Sequence, residues 1–427
     1  MTAAPLADAP AADRDARSAP LAGPVESRPA GALRVLVLTS LFPSEARPRH
    51  GIFVETRLTH LVRDCPIDAR VIAPVPWFPS SSPRFGSYGL FAATPRRATR
   101  ASGVDVTYPR YPMLPRIGVP FQPGAMARAA LADIRRLRES GWMPQLIDAH
   151  YLYPDGVAAA WLAERLQVPF VMTARGTDVN VLASLPGPGR RIAWAASRAS
   201  AVVTVSQPLK ERLVLLGVDA AKIAVLRNGV DMQVFDTVDR RSARARLGLA
   251  QDGRLLLCVG NLLPEKDQAL ALQCLKRLPA ERLLIVGDGP MRAQLAVTVR
   301  QLGIESRVVF RGAMPQADLR YAYAAADALL LTSTREGWPN VVLEALACGV
   351  PVVACDVGAV REIINDPAVG RVVAGRDVQE FTAAIAQVLA AGTPAARLRQ
   401  HAAQFDWASI SRGQYDIFTR AIARAST

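Results

Sequence analysis

Two glutamates, Glu336 and Glu344, lie in the stretch EGWPNVVLEALACGVPVVAC with seven residues between them. Carboxylates so placed could form an acid/base pair, clamp a polyhydroxylated ligand, or decorate a solvated helix. Pro339 suits a helix start, and Asn340 beside it could cap a helix running from Val341 to Ala347. Glu336 then sits on the loop before the helix and Glu344 inside it. A continuous helix would separate them by ~12 Å at 1.5 Å per residue. A water-activating glycosidase pair needs roughly 5–9.5 Å. A helix start facing a cleft offers free N–H groups, which favour a phosphate. One carboxylate before that start and one a turn inside could hold hydroxyls on either side of a diphosphate. A nucleotide sugar has that layout.

Other loops point the same way. GNLLPEKD (260–267) follows an apolar run and delivers Lys266, a cation suited to a phosphate oxygen. GDGP (287–290) follows another, and Gly287 permits close backbone approach. FRGAMPQADL (310–319) repeats the arrangement with Met314 on the loop. Taken singly, each is ordinary strand-to-helix punctuation.

These loops need strands to carry them. RVLVLTS (34–40) reads as a buried strand, followed by a loop and a helical pattern over Ile52–Val62. Further strands are expected at Ala69–Ala73, Val104–Tyr108, Leu146–His150, Phe170–Thr173 and Ala201–Val205. Helical patterns at Ala125–Leu137, Val157–Leu166 and Leu209–Leu216 fall among them. After RNGVDMQVF (227–235) the alternation restarts, with strands at Leu255–Val259, Leu283–Val286, Val308–Phe310, Ala328–Leu331 and Val350–Ala354. Alternating strands and helices predict parallel sheets covered on both faces. The expected class is therefore α/β, with two doubly wound, Rossmann-like domains over 32–232 and 233–407 facing across a cleft. The amphipathic segment 408–427 is expected to cross back onto the first domain. Segment 74–123 breaks the rhythm with Pro, aromatics and Arg84, Arg96, Arg97 and Arg100. It reads as a long irregular insertion that either packs on its own domain or touches a lipid surface.

Composition narrows the classes. The chain has 427 residues, enough for two cores. No apolar run reaches the roughly 18 residues of a spanning helix. The Ala/Pro-rich opening over 1–31 lacks the apolar block of a signal peptide and reads as a disordered tail, which predicts a cytoplasmic chain. Cys65, Cys258, Cys274, Cys348 and Cys355 lack CxxC spacing and sit mostly in apolar contexts, as buried free thiols do. His50, His60, His150 and His401 show no zinc-like spacing. The formal charge of +14 points to an anionic partner, although lysine occurs only at Lys210, Lys222, Lys266 and Lys276, so an arginine-rich codon composition explains the excess equally well.

Together and in order, NGVD (228–231), GNLLPEK (260–266), GDGP (287–290) and EGWPNVVLEALACGVPVVA (336–354) resemble retaining glycosyltransferases of family 4, which have the two-domain GT-B fold. HGIF (50–53), DAHYLYPDG (148–156) and TARGTD (173–178) are similar to bacterial members that build surface polysaccharides. The resemblance implies a nucleotide-diphosphate sugar as donor substrate, a lipid-linked or saccharide acceptor, and no metal or other cofactor. It places Glu344 on the ribose hydroxyls, Glu336 on the transferred sugar, and Lys266 on the diphosphate leaving group. Gly51 falls on the loop that approaches donor phosphate and acceptor. Asn261, Gly287, Met314, Pro339, Asn340 and Val341 complete the expected donor site. The acceptor would attack on the face the diphosphate leaves, so no dedicated protein base is implied. Many relatives carry an arginine where Asn261 stands and a histidine where Arg175 stands. Arg49, Arg175 or another arginine could compensate at Asn261, or leaving-group stabilisation could rest more heavily on Lys266. Arg175 could bind sugar or phosphate in place of the usual histidine, with His150 either sharing that work or serving as a structural histidine at a strand end. Asp13-Arg14-Asp15 matches a metal-binding DxD by chance, in the tail. The rival readings are a nucleotide-sugar epimerase on the same fold and a non-catalytic nucleotide-sugar-binding protein. Nucleic-acid binding lacks a basic helix or stacking motif.

Overall fold

The computed structural model describes residues 31–113 and 118–425. The tail expected over 1–31, with its Asp13-Arg14-Asp15, lies outside these residues apart from Gly31. The chain builds two open twisted sheets. In spatial order the first runs Ile223–Val225, Ala201–Thr204, Phe170–Ala174, Leu146–His150, Leu33–Leu38, Ile67–Ile72, Asp105–Thr107, Arg97–Thr99. All its pairings are parallel except the last. The second runs Val308–Gly312, Arg282–Val286, Leu255–Val259, Ala328–Leu331, Val352–Cys355, Gly370–Val373, parallel throughout. The central strands are continuous apolar runs, buried on both faces, as helices on either side of a parallel sheet require.

Strand order reverses once in each sheet: between Leu33–Leu38 and Leu146–His150, and between Leu255–Val259 and Ala328–Leu331. At such a reversal the loops leaving neighbouring strands diverge to opposite faces and open a crevice. The loops leaving three of these strands carry Gly51, Gly260–Lys266 and Thr332–Glu336, and His150 ends the fourth, so the candidate residues gather at both crevices. The C-terminal helix, Trp407–Ala425, packs on the helix Ile52–Asp64 of the first lobe. Gln414 ties it there, donating to Asp148 Oδ2 at 3.0 Å and accepting from Arg57 Nε at 2.5 Å. Trp407 stacks on His60 with centroids 5.0 Å apart and planes 9° from parallel.

Two expectations need correction. The insertion over 74–123 is not irregular where it is described. Arg97–Thr99 pairs antiparallel with Asp105–Thr107, Val75–Pro76 pairs with Arg110–Tyr111, and Ser87–Ala93 is a helix. Its Arg100 is also not free, because it grips Glu55 at 2.5 Å. Asp105–Thr107 falls within the expected strand Val104–Tyr108, whereas Arg97–Thr99, Val75–Pro76 and Arg110–Tyr111 are only two or three residues long, so no apolar run announces them. Gly370–Val373 and Ile223–Val225 escaped the reading for the same reason of length. All five cysteines are buried free thiols. No described helix is long and apolar enough to cross a membrane, and no described group of His, Cys, Asp and Glu is placed to hold a metal ion.

Candidate active site

Between the two sheets lies a cleft of about 640 Å³. Gly51 and Arg175 line it from the first lobe; Asn261, Lys266, Gly287 and Met314 line it from the second. Glu336, Pro339, Asn340, Val341 and Glu344 form its floor. The walls touch through glycine. A Cβ on Gly337 would lie 2.4 Å from the carbonyl oxygen of Arg175 and 3.0 Å from Cα of Gly176. Asn180 Nδ2 reaches the Glu336 carbonyl at 3.4 Å.

Glu336 and Lys266 form a pair, with Nζ 2.6 Å from Oε1. Ser333 donates to the same oxygen at 2.7 Å. The Lys266 turn, Pro264–Lys266, is fastened to the Glu336 loop by Thr332 Oγ1 donating to the Lys266 carbonyl at 3.0 Å and by Thr334 N to Glu265 O at 2.8 Å. Arg376 clamps both loops, donating to the carbonyls of Thr332 at 2.8 Å and Ser333 at 3.0 Å and pairing with Asp267.

Pro339 occupies the cap position of the helix Asn340–Ala347. The cap expected at Asn340 does not form, since Asn340 is the first residue of the helix. Its side chain instead accepts from Asn228 Nδ2 of the first lobe at 3.2 Å, joining the lobes. Glu344 lies one turn in, 9% exposed, and accepts from the Tyr323 hydroxyl at 2.6 Å. Burial raises this carboxyl to about 7, against the pull of the Tyr323 hydrogen bond. Near neutrality it therefore exchanges between acid and carboxylate, and hydroxyl donors arriving from a ligand favour the carboxylate.

His150 does not line the cleft. It lies behind Arg175 at 1% exposure, because alternation along Leu146–His150 turns it inward at the strand end. Arg175 donates from one Nη to His150 Nδ1 at 2.5 Å and from the other to Asn228 Oδ1 at 3.3 Å. With Nδ1 accepting, the imidazole proton sits on Nε2 and points to Asp148 Oδ2 at 3.1 Å. Burial lowers the His150 pKa, the nearby Asp148 opposing, which keeps the ring neutral. His150 is thus a positioning residue. The Arg175 loop is organised by Asp178, whose buried carboxylate accepts from the backbone N–H groups of Leu152, Arg175, Gly176 and Val179. Arg175 Nε and Trp338 Nε1, both in cleft-lining residues, are buried donors without a partner.

Asn261 is exposed at the cleft, and its carbonyl accepts from Gln268 at 3.2 Å. Gly287, at φ 143°, is required by its own backbone neighbours: a Cβ there would lie 1.8 Å from the Gly260 carbonyl oxygen. Gly51, at φ 71°, starts the helix Ile52–Asp64, with a Cβ position 2.2 Å from the Leu41 carbonyl. The sequence reading missed Tyr323, Asn228, Ser333 and Arg376, whose signal is spatial. Only Asn228 had a local cue, its place in NGVD.

Two Rossmann-like lobes with a cleft at both switch points are the GT-B fold, and comparison with known proteins supplies the family. Residues 239–405 match the family Glycosyl transferases group 1, and residues 88–234 match Glycosyltransferase Family 4. The chain belongs to this family of glycosyltransferases. It is 34% identical over 342 residues to the putative teichuronic acid biosynthesis glycosyltransferase TuaC of Bacillus subtilis (strain 168), covering 78% of this chain and 83% of that one. It is 33% identical over 334 residues to the D-inositol 3-phosphate glycosyltransferase of Mycobacterium tuberculosis (strain F11), covering 72% and 68%. Among solved structures, sucrose-phosphate synthase from Thermosynechococcus elongatus superposes with a TM-score of 0.74 at 20% identity, covering 92% of this chain and 100% of that one. Anabaena HepE in complex with UDP-glucose gives a TM-score of 0.67 at 22% identity, covering 90% and 98%.

Proposed function

We propose that the protein is a retaining, metal-independent hexosyltransferase. It moves a sugar from a nucleotide-diphosphate donor to a lipid-linked or saccharide intermediate of bacterial surface polysaccharide synthesis. The observation that carries this reading is the floor of the cleft. The Lys266–Glu336 pair lies on one side of a helix start and buried Glu344 on the other. That spacing fits sugar, diphosphate and ribose in turn. Similarity to TuaC, named for teichuronic acid biosynthesis, supports the polysaccharide role. The work is done in the cytoplasm, by peripheral contact with the inner face of the membrane.

In this reading Glu344 takes the ribose hydroxyls and Glu336 a hydroxyl of the sugar. Lys266 then turns from Glu336 to the diphosphate, and Arg175 meets the diphosphate from the opposite wall. As the bond from C1 to the diphosphate oxygen breaks, the acceptor oxygen bonds C1 on the same face. Its proton passes to the departing diphosphate oxygen. Preorganised cations stabilise the charge that develops there. Gly51, Asn261, Gly287, Met314 and Val341 shape the donor cavity.

A panel of nucleotide sugars tests the proposal, first by thermal shift and then by transfer to a lipid-linked or saccharide acceptor in the presence of a chelator. One donor should stabilise the protein strongly. NMR of the product should show the donor's anomeric configuration, formed at full rate without metal. An inverted product, a metal requirement, or epimerised donor formed without acceptor would each overturn it.

A further inference from the structure

A second cationic hollow lies on the first lobe, apart from the cleft. It has a volume of about 250 Å³, and Arg96, Arg97, Arg110, Arg128 and Arg136 wall it. Its one carboxylate, Asp133, is taken by Arg136 at 2.6 Å. Among the described residues no carboxylate pairs with the other four arginines, although nearby Arg70 pairs with Asp68 and Asp105, and Arg100 with Glu55. Arg110 donates to the carbonyls of Tyr108, at 3.1 Å, and Thr94. These bonds fix the guanidinium without neutralising it. Its pKa is lowered by burial and by the charges of Arg96 and Arg47, as expected where cations crowd without a counter-ion.

An aromatic shelf adjoins the hollow. Arg47 lies 4.9 Å over the Phe91 ring, and contacts continue through Tyr88 and Phe78 to Phe85, with centroids 5.2 to 5.9 Å apart. Phe85 is 49% and Trp77 57% exposed, and the backbone N–H of Trp77 donates to the Tyr111 carbonyl, next in the chain to Arg110, at 2.7 Å. Asp105–Thr107 runs parallel to its neighbour, so Arg110 leaves the sheet at the same edge as the cleft loops.

A soluble anion would need the arginines and leave the exposed rings without a use. Unpaired guanidiniums beside exposed aromatic rings match an anionic bilayer, where phosphates meet the cations and rings sit at headgroup level. We propose that this face docks on an anionic membrane surface, with lipid phosphates in the arginine hollow and Trp77 and Phe85 in the interface. The proposal rests on the membrane contact in the function above and gives it a surface and a ligand chemistry.

Vesicle co-sedimentation tests it. The full chain should bind vesicles containing phosphatidylglycerol and not vesicles of phosphatidylcholine alone, and salt should weaken the binding. The double variant Arg96→Gln/Arg128→Gln changes two exposed side chains and should lower partitioning roughly 30-fold, at roughly fivefold per arginine near an anionic surface. Trp77→Ser/Phe85→Ser should lower it roughly tenfold or more. All variants should turn over donor with a soluble saccharide acceptor as the parent does, which separates failure of docking from failure of the proposed chemistry. Equal binding to both vesicle types, or undiminished binding by either double variant, would overturn the proposal. So would saturable stabilisation by inorganic pyrophosphate, lost in Arg96→Gln/Arg128→Gln, from a chain that binds no vesicles, because the hollow would then hold a soluble phosphate.

Discussion

Glu344→Gln isolates the cost of burying a carboxyl in the cleft. Glu344 is 9% exposed, and the Tyr323 hydroxyl bonds to its Oε2 at 2.6 Å. Burial raises the carboxyl from 4.5 to about 7, so the folded protein holds this proton more tightly than the unfolded chain does. The sign follows: the stabilising contribution is complete below 4.5 and is lost as pH rises through about 7. At about 1.36 kcal/mol per pH unit between those values, ionisation costs the folded protein about 3 kcal/mol above neutral pH. Glutamine keeps the shape and an acceptor for Tyr323 but cannot ionise. For a lobe of this size that is a gain in Tm of roughly 6–12 °C at about pH 8, shrinking towards zero near pH 4. The same change should weaken donor binding roughly tenfold to a hundredfold, since hydrogen bonds to a charged acceptor contribute about 1.5–3 kcal/mol. Differential scanning calorimetry across pH, beside donor titrations, reads both effects. A Tm difference that does not vary with pH would refute the burial argument. An unchanged donor affinity would refute the ribose assignment.

Three further outcomes are expected. Lys266→Ala should cut turnover roughly 10²–10³-fold, the loss typical of one preorganised donor. Its melting should barely move, because the ion pair is partly exposed; near-normal turnover would remove its assigned role. His150→Phe should lower kcat about tenfold with little change in donor affinity, and destabilise by about 1–3 kcal/mol through the orphaned Arg175 donor; a parental kcat would show that Arg175 needs no positioning. Gly287→Ala places a Cβ 1.8 Å from the Gly260 oxygen at φ 143° and should cost at least about 2 kcal/mol, read as a lowered melting temperature. Parental melting would show that these strand ends part freely.

What the sequence disclosed and what it hid divide along physical lines. Buried parallel strands declare themselves as apolar runs, so the loops that follow them, with Lys266, Gly287 and Met314, were placed correctly in order. Partners distant in sequence leave no local mark. Tyr323 meets Glu344 only once the second lobe has folded, and Asn228 meets Asn340 only where the two lobes come together. Asn340 illustrates this: helix-start chemistry predicts a cap, but tertiary contact took the side chain. His150 illustrates the converse. A histidine at the end of a strand can face the crevice or the core, and composition does not say which.

The two departures from the common pattern, Asn261 and Arg175, belong to one arrangement. With neutral Asn261 exposed on the second lobe, Lys266 is the lysine that lobe presents to the cleft floor, where it is tied to Glu336. Arg175 stands on the opposite wall, held at both Nη by His150 and Asn228, with its guanidinium carbon 5.4 Å over the Phe53 ring and Nε unpartnered. The planar guanidinium serves two fixed acceptors from separate nitrogens while still lining the cleft, which a neutral histidine ring with its single N–H could not do. Its loop abuts the Glu336 loop through Gly176 and Gly337, so this cation reaches the floor only while the lobes are together. On the proposed mechanism, the diphosphate is then neutralised half from each lobe. Stabilisation of the leaving group would then draw on both walls at once and so depend on the contact between the lobes.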